Sequence, residues 1–141
     1  MARAIQLQLF DQPTLNISTA QKEAMSQAAK NCGLSRQEIV DHMNRLASQY
    51  GVRLAKGNSG GLQMATFEKW LNPEEHGRDI PVRALPIFCA VTSDCEALDI
   101  MARPLSCRVI GREDVRLLKW AKAYFRQRAA RSEMRKLEAE L

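Results

Sequence analysis

Apolar residues in this chain recur at intervals of three and four, and the interval is cleanest just after Ser35. Ser35-Arg36-Gln37-Glu38 sets a serine three residues ahead of a glutamate, the pair whose side chains satisfy free backbone amides at a helix start. Ile39, Met43 and Leu46 follow at helical spacing with Val40 and Ala47 adjoining, so one stripe of this helix has to be buried. The helix is expected to run to roughly Gln49. Similar spacing returns in most other segments, which points to an all-α chain of about six helices. The composition agrees: hydrophobic residues make up 45% and aromatics only 6%, a lean core built on Leu, Ala, Ile, Val and Met.

Other segments are read the same way. Residues 5–10 alternate apolar and polar, which would suit a lone strand, and Pro13 breaks that run. Ser18-Thr19-Ala20-Gln21 resembles a second capping box, and the helix it starts places Ala24, Met25, Ala28 and Ala29 on one side before Gly33 ends it. Residues 51–61 hold four glycines and read as a loop, with a brief extended stretch at Val52-Arg53-Leu54. Leu62, Phe67, Trp70 and Leu71 anchor a helix that Pro73 stops. The next helix begins between Pro81 and Pro86 and carries Ile87, Phe88 and Val91. Residues 94–105 give one further short helix with Leu98 and Met101 inward.

Gly111 precedes the longest expected helix, about Glu113 to Leu141, in which Trp120, Ala123, Gln127, Ala130, Met134, Leu137 and Leu141 alternate steps of three and four. That is the coiled-coil interval with one polar member, and it marks a dimerisation stripe. The alternative use is packing of Trp120 and Ala123 on the chain's own core, with Ala130 onward projecting. The expected organisation is an arm over 1–17, a compact helical domain over 18–110 and a long basic helix over 111–141.

Charge is unevenly placed. Residues 1–111 hold 12 basic and 11 acidic side chains, whereas 112–141 hold 9 and 5, a net of +4. Arg116, Lys119, Lys122, Arg126, Arg128 and Arg131 follow one another with no acid between. Such a run suits a phosphate-binding surface and equally an ordinary solvated helix face. No run reaches the roughly 18 apolar residues of a membrane span. The N-terminus has no apolar stretch ending in a small-residue cleavage site, so a secretory leader is not expected. Cys32, Cys89, Cys95 and Cys107 form no C-x-x-C pair, and His42 and His76 stand at no zinc-ligand interval from them. Reduced thiols, no metal, no cofactor and a cytoplasmic protein are the expectations.

Residues 34–43 (L-S-R-Q-E-I-V-D-H-M) and 62–73 (L-Q-M-A-T-F-E-K-W-L-N-P) form two short helices in a suggestive order. A polar loop (N-P-E-E-H-G-R-D-I-P), an apolar helix (L-P-I-F-C-A-V-T) and a closing helix (E-A-L-D-I-M) follow. Over residues 34–105, about half the chain, this pattern resembles the lambda-repressor type of helix-turn-helix domain common in phage and prophage regulators. The resemblance implies a compact helix-turn-helix domain followed by the long helix. It also implies sequence-specific binding of double-stranded DNA as a dimer, with transcriptional regulation as the outcome.

In such domains the second helix of the pair enters the major groove. Phe67, Trp70 and Leu71 would hold it on the core while Gln63, Met64, Ala65 and Lys69 face base edges. Arg36, Lys56, Thr66, Arg78 and Arg83 would contact phosphates. The chain departs from the family over residues 49–61, where a glycine-rich segment replaces a connection of about three or four residues. If the segment bulges outward the geometry survives; if it separates the helices the inference fails.

Catalysis is not expected. Asp41-His42 and Glu74-Glu75-His76 have no paired motif elsewhere, and G-N-S-G-G at 57–61 lacks the ending of a phosphate-cradling loop. No small-molecule ligand is implied. The remaining alternative is a non-catalytic helical protein-interaction module or phage accessory protein without specific DNA binding, which the near-neutral charge of residues 1–111 would suit.

Overall fold

The computed structural model describes residues 14–56 and 61–141. The expected strand at 5–10 with its Pro13 break, and the middle of the glycine-rich loop, lie outside the described residues. Among those described, every regular element is helical: α1 (Ser18–Asn31), α2 (Arg36–Tyr50), α3 (Met64–Leu71), α4 (Leu85–Thr92), α5 (Glu96–Ala102) with a short 3-10 turn at Arg103–Leu105, and α6 (Arg112–Ala139). The chain divides into two compact units, Met1–Val109 and Ile110–Leu141. No described helix is long and apolar enough to cross a membrane.

In the first unit α1 packs on α5 and α3, and α2 packs on α4 and α3. The core gathers Met25, Ile39, Met43, Phe67, Leu71, Leu85 and Phe88, all essentially without solvent exposure. At its centre the rings of Phe67 and Phe88 lie 6.2 Å apart at an interplanar angle of 43°. Both members of the Ser35 capping box are made: the Glu38 N–H donates to Ser35 Oγ at 3.1 Å, and the Ser35 N–H donates to Glu38 Oε1 at 3.1 Å. Hydrogen bonding from Ser35 to the Glu38 carboxylate, the backbone N–H first, lowers its pKa. Gly51, at φ +66°, closes α2 in the left-handed conformation that a glycine adopts without strain.

The second expected capping box is not formed. Ile17 is the N-cap of α1, and the Ser18 hydroxyl instead donates to Asp79 Oδ1 at 2.9 Å. Gln21 is buried, so its amide turns inward and donates to the Ala97 carbonyl on α5 at 3.4 Å. A buried amide must find a partner inside the protein, and that need overrides a reach back to a solvated helix start. Residues 52–54 lie in the loop with no regular secondary structure, and Leu54 is buried.

The α5 expectation also needs correction. Leu98 packs on the core, but Met101 is 37% exposed and Asp99 takes the inward position. Residues two apart on a helix stand about 200° apart, so an inward Asp99 turns Met101 out. Asp99 accepts from the Val109 N–H at 2.8 Å, from Arg103 Nε at 2.8 Å and from Arg108 Nε at 3.1 Å. These donors, the Val109 amide first, hold its pKa at about 2.

Burial pushes the Cys89 thiol up to about 11, so it behaves as a neutral core side chain. Cys32 is half-buried, Cys95 and Cys107 are exposed, and all four thiols are free.

The second unit is α6, which starts at Gly111 with Glu113 and Asp114 in its first turn and has Lys136 in its last. Both placements complement the helix dipole. Every member of the three-four stripe is exposed, with Trp120 at 63%, Met134 at 58% and Leu137 at 54%. Trp120 stacks on Tyr124 of the same helix, ring centroids 5.4 Å apart.

Because the folded pKa of Asp99 lies below its ordinary value, its contribution to stability is complete above about pH 4 and fades as pH falls toward 2. Asp99→Asn is expected to lower the thermal midpoint at pH 7 by several degrees. It should also flatten the loss of stability between pH 4 and 2, both read by circular dichroism. A wild-type acid slope retained in this variant would refute the assignment.

Candidate nucleic-acid interface

The position of α3 is set by three fixings on top of its apolar anchors. The first is Asn44, on the inner edge of α2. Its Oδ1 accepts from the Leu62 N–H at 2.7 Å, and its Nδ2 donates to the Leu62 carbonyl at 2.9 Å. One side-chain amide thus satisfies both peptide groups of the residue that leads into α3, much as a neighbouring strand would. Gly61 has φ +132°, and a Cβ there would lie 2.5 Å from Asn44 Oδ1, so this approach requires glycine. At the other end of the insertion the Val52 N–H donates to the Ala47 carbonyl at 2.8 Å, and Leu54 is buried. Both ends of the glycine-rich segment are therefore tied to α2 or the core, and α3 packs directly on α2.

The second fixing is Lys22, only 3% exposed in the middle of α1. Its ammonium donates to the carbonyls of Lys69 at 2.8 Å, Trp70 at 3.4 Å and Arg78 at 2.6 Å, and stands 3.4 Å from Asp79 Oδ1. The first two carbonyls are among those a helix leaves unpaired at its C-terminus, where a cation also meets the negative end of the helix dipole. The third fixing is an ion pair from Arg36 at the start of α2 to Glu68 on α3.

The expected reading residues divide under this geometry. Gln63, Ala65 and Lys69 are exposed. Gln63 is the N-cap of α3, and its side chain makes no capping hydrogen bond. Met64 corrects the sequence reading: it is half-buried and packs against the core, not outward. Its spacing explains this, because Met64, Phe67 and Leu71 fall on one helical stripe.

The expected phosphate contacts fall into two groups. Lys56, Thr66, Arg78 and Arg83 line one concavity of about 390 Å³ together with Trp70 and Asp79. Arg36 lies apart, lining a second depression with Ala65, Glu68 and Lys69. Arg83 Nε donates to the Arg53 carbonyl, which braces the residue against the start of the insertion. The nearby acids are internally engaged: Asp79 with Lys22 and Ser18, Glu68 with Arg36. Among the described residues no ion pair holds Lys56, Lys69, Arg78 or Arg83. The α3 side thus carries cationic donors beside two paired carboxylates, while Glu74 and Glu75 in the following turn have no ion pair among the described residues.

No group of three or more His, Cys, Asp or Glu side chains among the described residues could hold a metal ion. His42 is half-buried on α2, and His76 is exposed in the turn after α3. Sequence reasoning missed Lys22 and Asn44, although both carried a spacing signal. Lys22 shares a stripe with Met25 and Ala29, and Asn44 follows the buried Val40 by one turn. Set against known proteins, the chain matches no family model, no curated protein and no solved structure.

Lys22→Met is expected to cost about 2–4 kcal/mol in urea unfolding, because it leaves α3 carbonyls without a donor. Asp79→Asn should cost less than about 1 kcal/mol, its carboxylate being half in water. Equal losses in the two variants would contradict the placement of the ammonium among the carbonyls.

Proposed function

We propose that this protein is a sequence-specific double-stranded DNA-binding regulator of the phage and prophage helix-turn-helix kind, acting in the cytoplasm as a dimer. The observation that carries the reading is the Asn44 clamp, which returns the chain to α2 after the insertion and leaves α3 seated on α2. On this reading the long connection does not break the two-helix reader, because both of its ends are tied to α2 or the core. With Phe67, Trp70 and Leu71 buried, the opposite side of α3 offers Gln63, Ala65 and Lys69 to the major groove.

Their chemistry suits that groove. A glutamine amide matches the N6/N7 edge of adenine, a lysine donates to guanine O6 or N7, and an alanine methyl meets a thymine methyl. Beside them Lys56, Thr66, Arg78 and Arg83 form a cluster that can grip the phosphate backbone and fix register. Arg36 takes a smaller part in this reading, since Glu68 already holds it. The stripe on α6 supplies the dimer contact, so that two readers address two half-sites.

Gel-shift titration against DNA selected from random sequence tests the reading. One sequence should be bound far more tightly than random DNA, with affinity falling steeply as salt rises. Lys69→Ala should weaken the selected site by about 1–3 kcal/mol. Lys56→Ala should weaken all sequences alike and lower the salt slope by about one. Retention that ignores both sequence and salt would replace this reading with that of a protein-interaction module.

A further inference from the structure

Along α6 the charges on the flanks of the apolar stripe are ordered, and the order selects one way for two copies to pair. With Trp120, Gln127, Met134 and Leu141 in the first core position of each heptad and Ala123, Ala130 and Leu137 in the second, one flank of the stripe carries Lys119, Arg126, Glu133 and Glu140. It is basic in its first half and acidic in its second. All of these residues, core and flank, are exposed in the single chain.

We infer that α6 pairs with the α6 of a second copy in antiparallel orientation, centred between Arg128 and Ala129. This rests on the dimer in the proposed function but not on the DNA contact.

Reversing one helix brings like flanks together. Lys119 then faces the partner's Glu140, and Arg126 faces the partner's Glu133; two-fold symmetry makes each contact twice. A parallel pair does the opposite. There each flank meets the other flank of its partner, setting Arg126 against the partner's Arg131 and Glu133 against the partner's Glu138. Those are like charges at close range.

The core gives the same answer through volume. Parallel, in-register layers would be Trp120 on Trp120, Ala123 on Ala123, and so on. Indole pairs would force the helices apart directly beside alanine pairs that need them close. In the antiparallel register Trp120 meets the partner's Leu137, Ala123 the partner's Met134, and Gln127 the partner's Ala130. Two of these three layers combine a large side chain with a small one, so the separation between helices stays even. The two Gln127 amides fall in adjacent layers either side of the axis, where they can reach each other or solvent. Leu118 and Phe125 lie away from the stripe and take no part.

Sedimentation equilibrium of the full-length chain without DNA tests the orientation through charge. Wild type should dimerise. Arg126→Glu alone and Glu133→Arg alone should each raise the dimer dissociation constant roughly tenfold, as attractive pairs become repulsive. The double variant Arg126→Glu/Glu133→Arg should return to within about threefold of wild type. A parallel pair predicts that Arg126→Glu tightens the dimer, and that result would overturn the inference, as would a monomer at every concentration.

A cross-linking arm is independent of these charges. With Cys95 and Cys107 replaced by serine, a mixture of Ala123→Cys and Met134→Cys chains should form a disulfide. Ala123→Cys chains alone should not, because the two positions then stand roughly 16 Å apart along the axis. Ready self-cross-linking of Ala123→Cys would mean parallel pairing. Neither arm contains DNA, so either can fail while the α3 reading stands, and the reverse.

Discussion

The ammonium of Lys22 is the constraint on which the candidate interface depends. A lysine that is 3% exposed has given up nearly all of its water, and only dense hydrogen bonding makes that tolerable. Its three carbonyl acceptors come from α3 and from Arg78, and its carboxylate neighbour is Asp79, so one cation joins α1, the end of α3 and the turn that follows. That turn supplies Arg78 to the concavity lined by Lys56, Thr66 and Arg83. The charge therefore fixes where α3 stops and where one of its flanking cations begins. An apolar residue at position 22 would fill the space but offer nothing to the carbonyls, which would then be buried without a donor.

Asn44 solves the complementary problem at the start of the same helix. An insertion between two packed helices costs little in loop entropy, which grows only slowly with length, provided its ends are held. Here the Gly51 helix stop, the buried Leu54 and the double hydrogen bond to Leu62 hold them. Gly61 is part of this device, since any Cβ would collide with the asparagine oxygen. The insertion does not separate the two helices: α3 packs on α2.

Much of the fold was legible because apolar periodicity reports burial directly. The Ser35 box, the eight residues of α4 and the inward set Phe67, Trp70 and Leu71 all followed from spacing and capping chemistry. What escaped notice was polar and inward. Lys22, Gln21, Asn44 and Asp99 sit on or beside buried stripes, where a pattern of apolar letters either skips them or treats them as interruptions. Ser18 misled for a related reason: a local motif predicts a local bond, whereas Asp79 offered a charged acceptor from 61 residues away. Met101 was assigned inward because the Val109 amide that helps turn Asp99 inward lies outside its helix, whereas Met64 was assigned outward although its own stripe with Phe67 and Leu71 pointed to its half-burial.

The near-neutral balance of residues 1–111 weakens as an objection to DNA binding once charge is located and not merely summed. Of the carboxylates near α3, Asp79 is paired with Lys22 and Glu68 with Arg36, while Glu96 and Asp99 are paired with Arg103 and Arg108. Paired charges contribute little field beyond a few ångströms, and salt screens exposed ones beyond about 10 Å. On the proposed reading, the cations that remain near α3 act at contact distance, where register and base identity would be decided. Long-range attraction to a phosphate surface needs net charge instead, and that resides in residues 112–141 at +4. On the proposed reading the two parts of the chain divide the work. The long helix draws the protein toward DNA and sets its pairing, and α3 with its braced neighbours reads the sequence it arrives at.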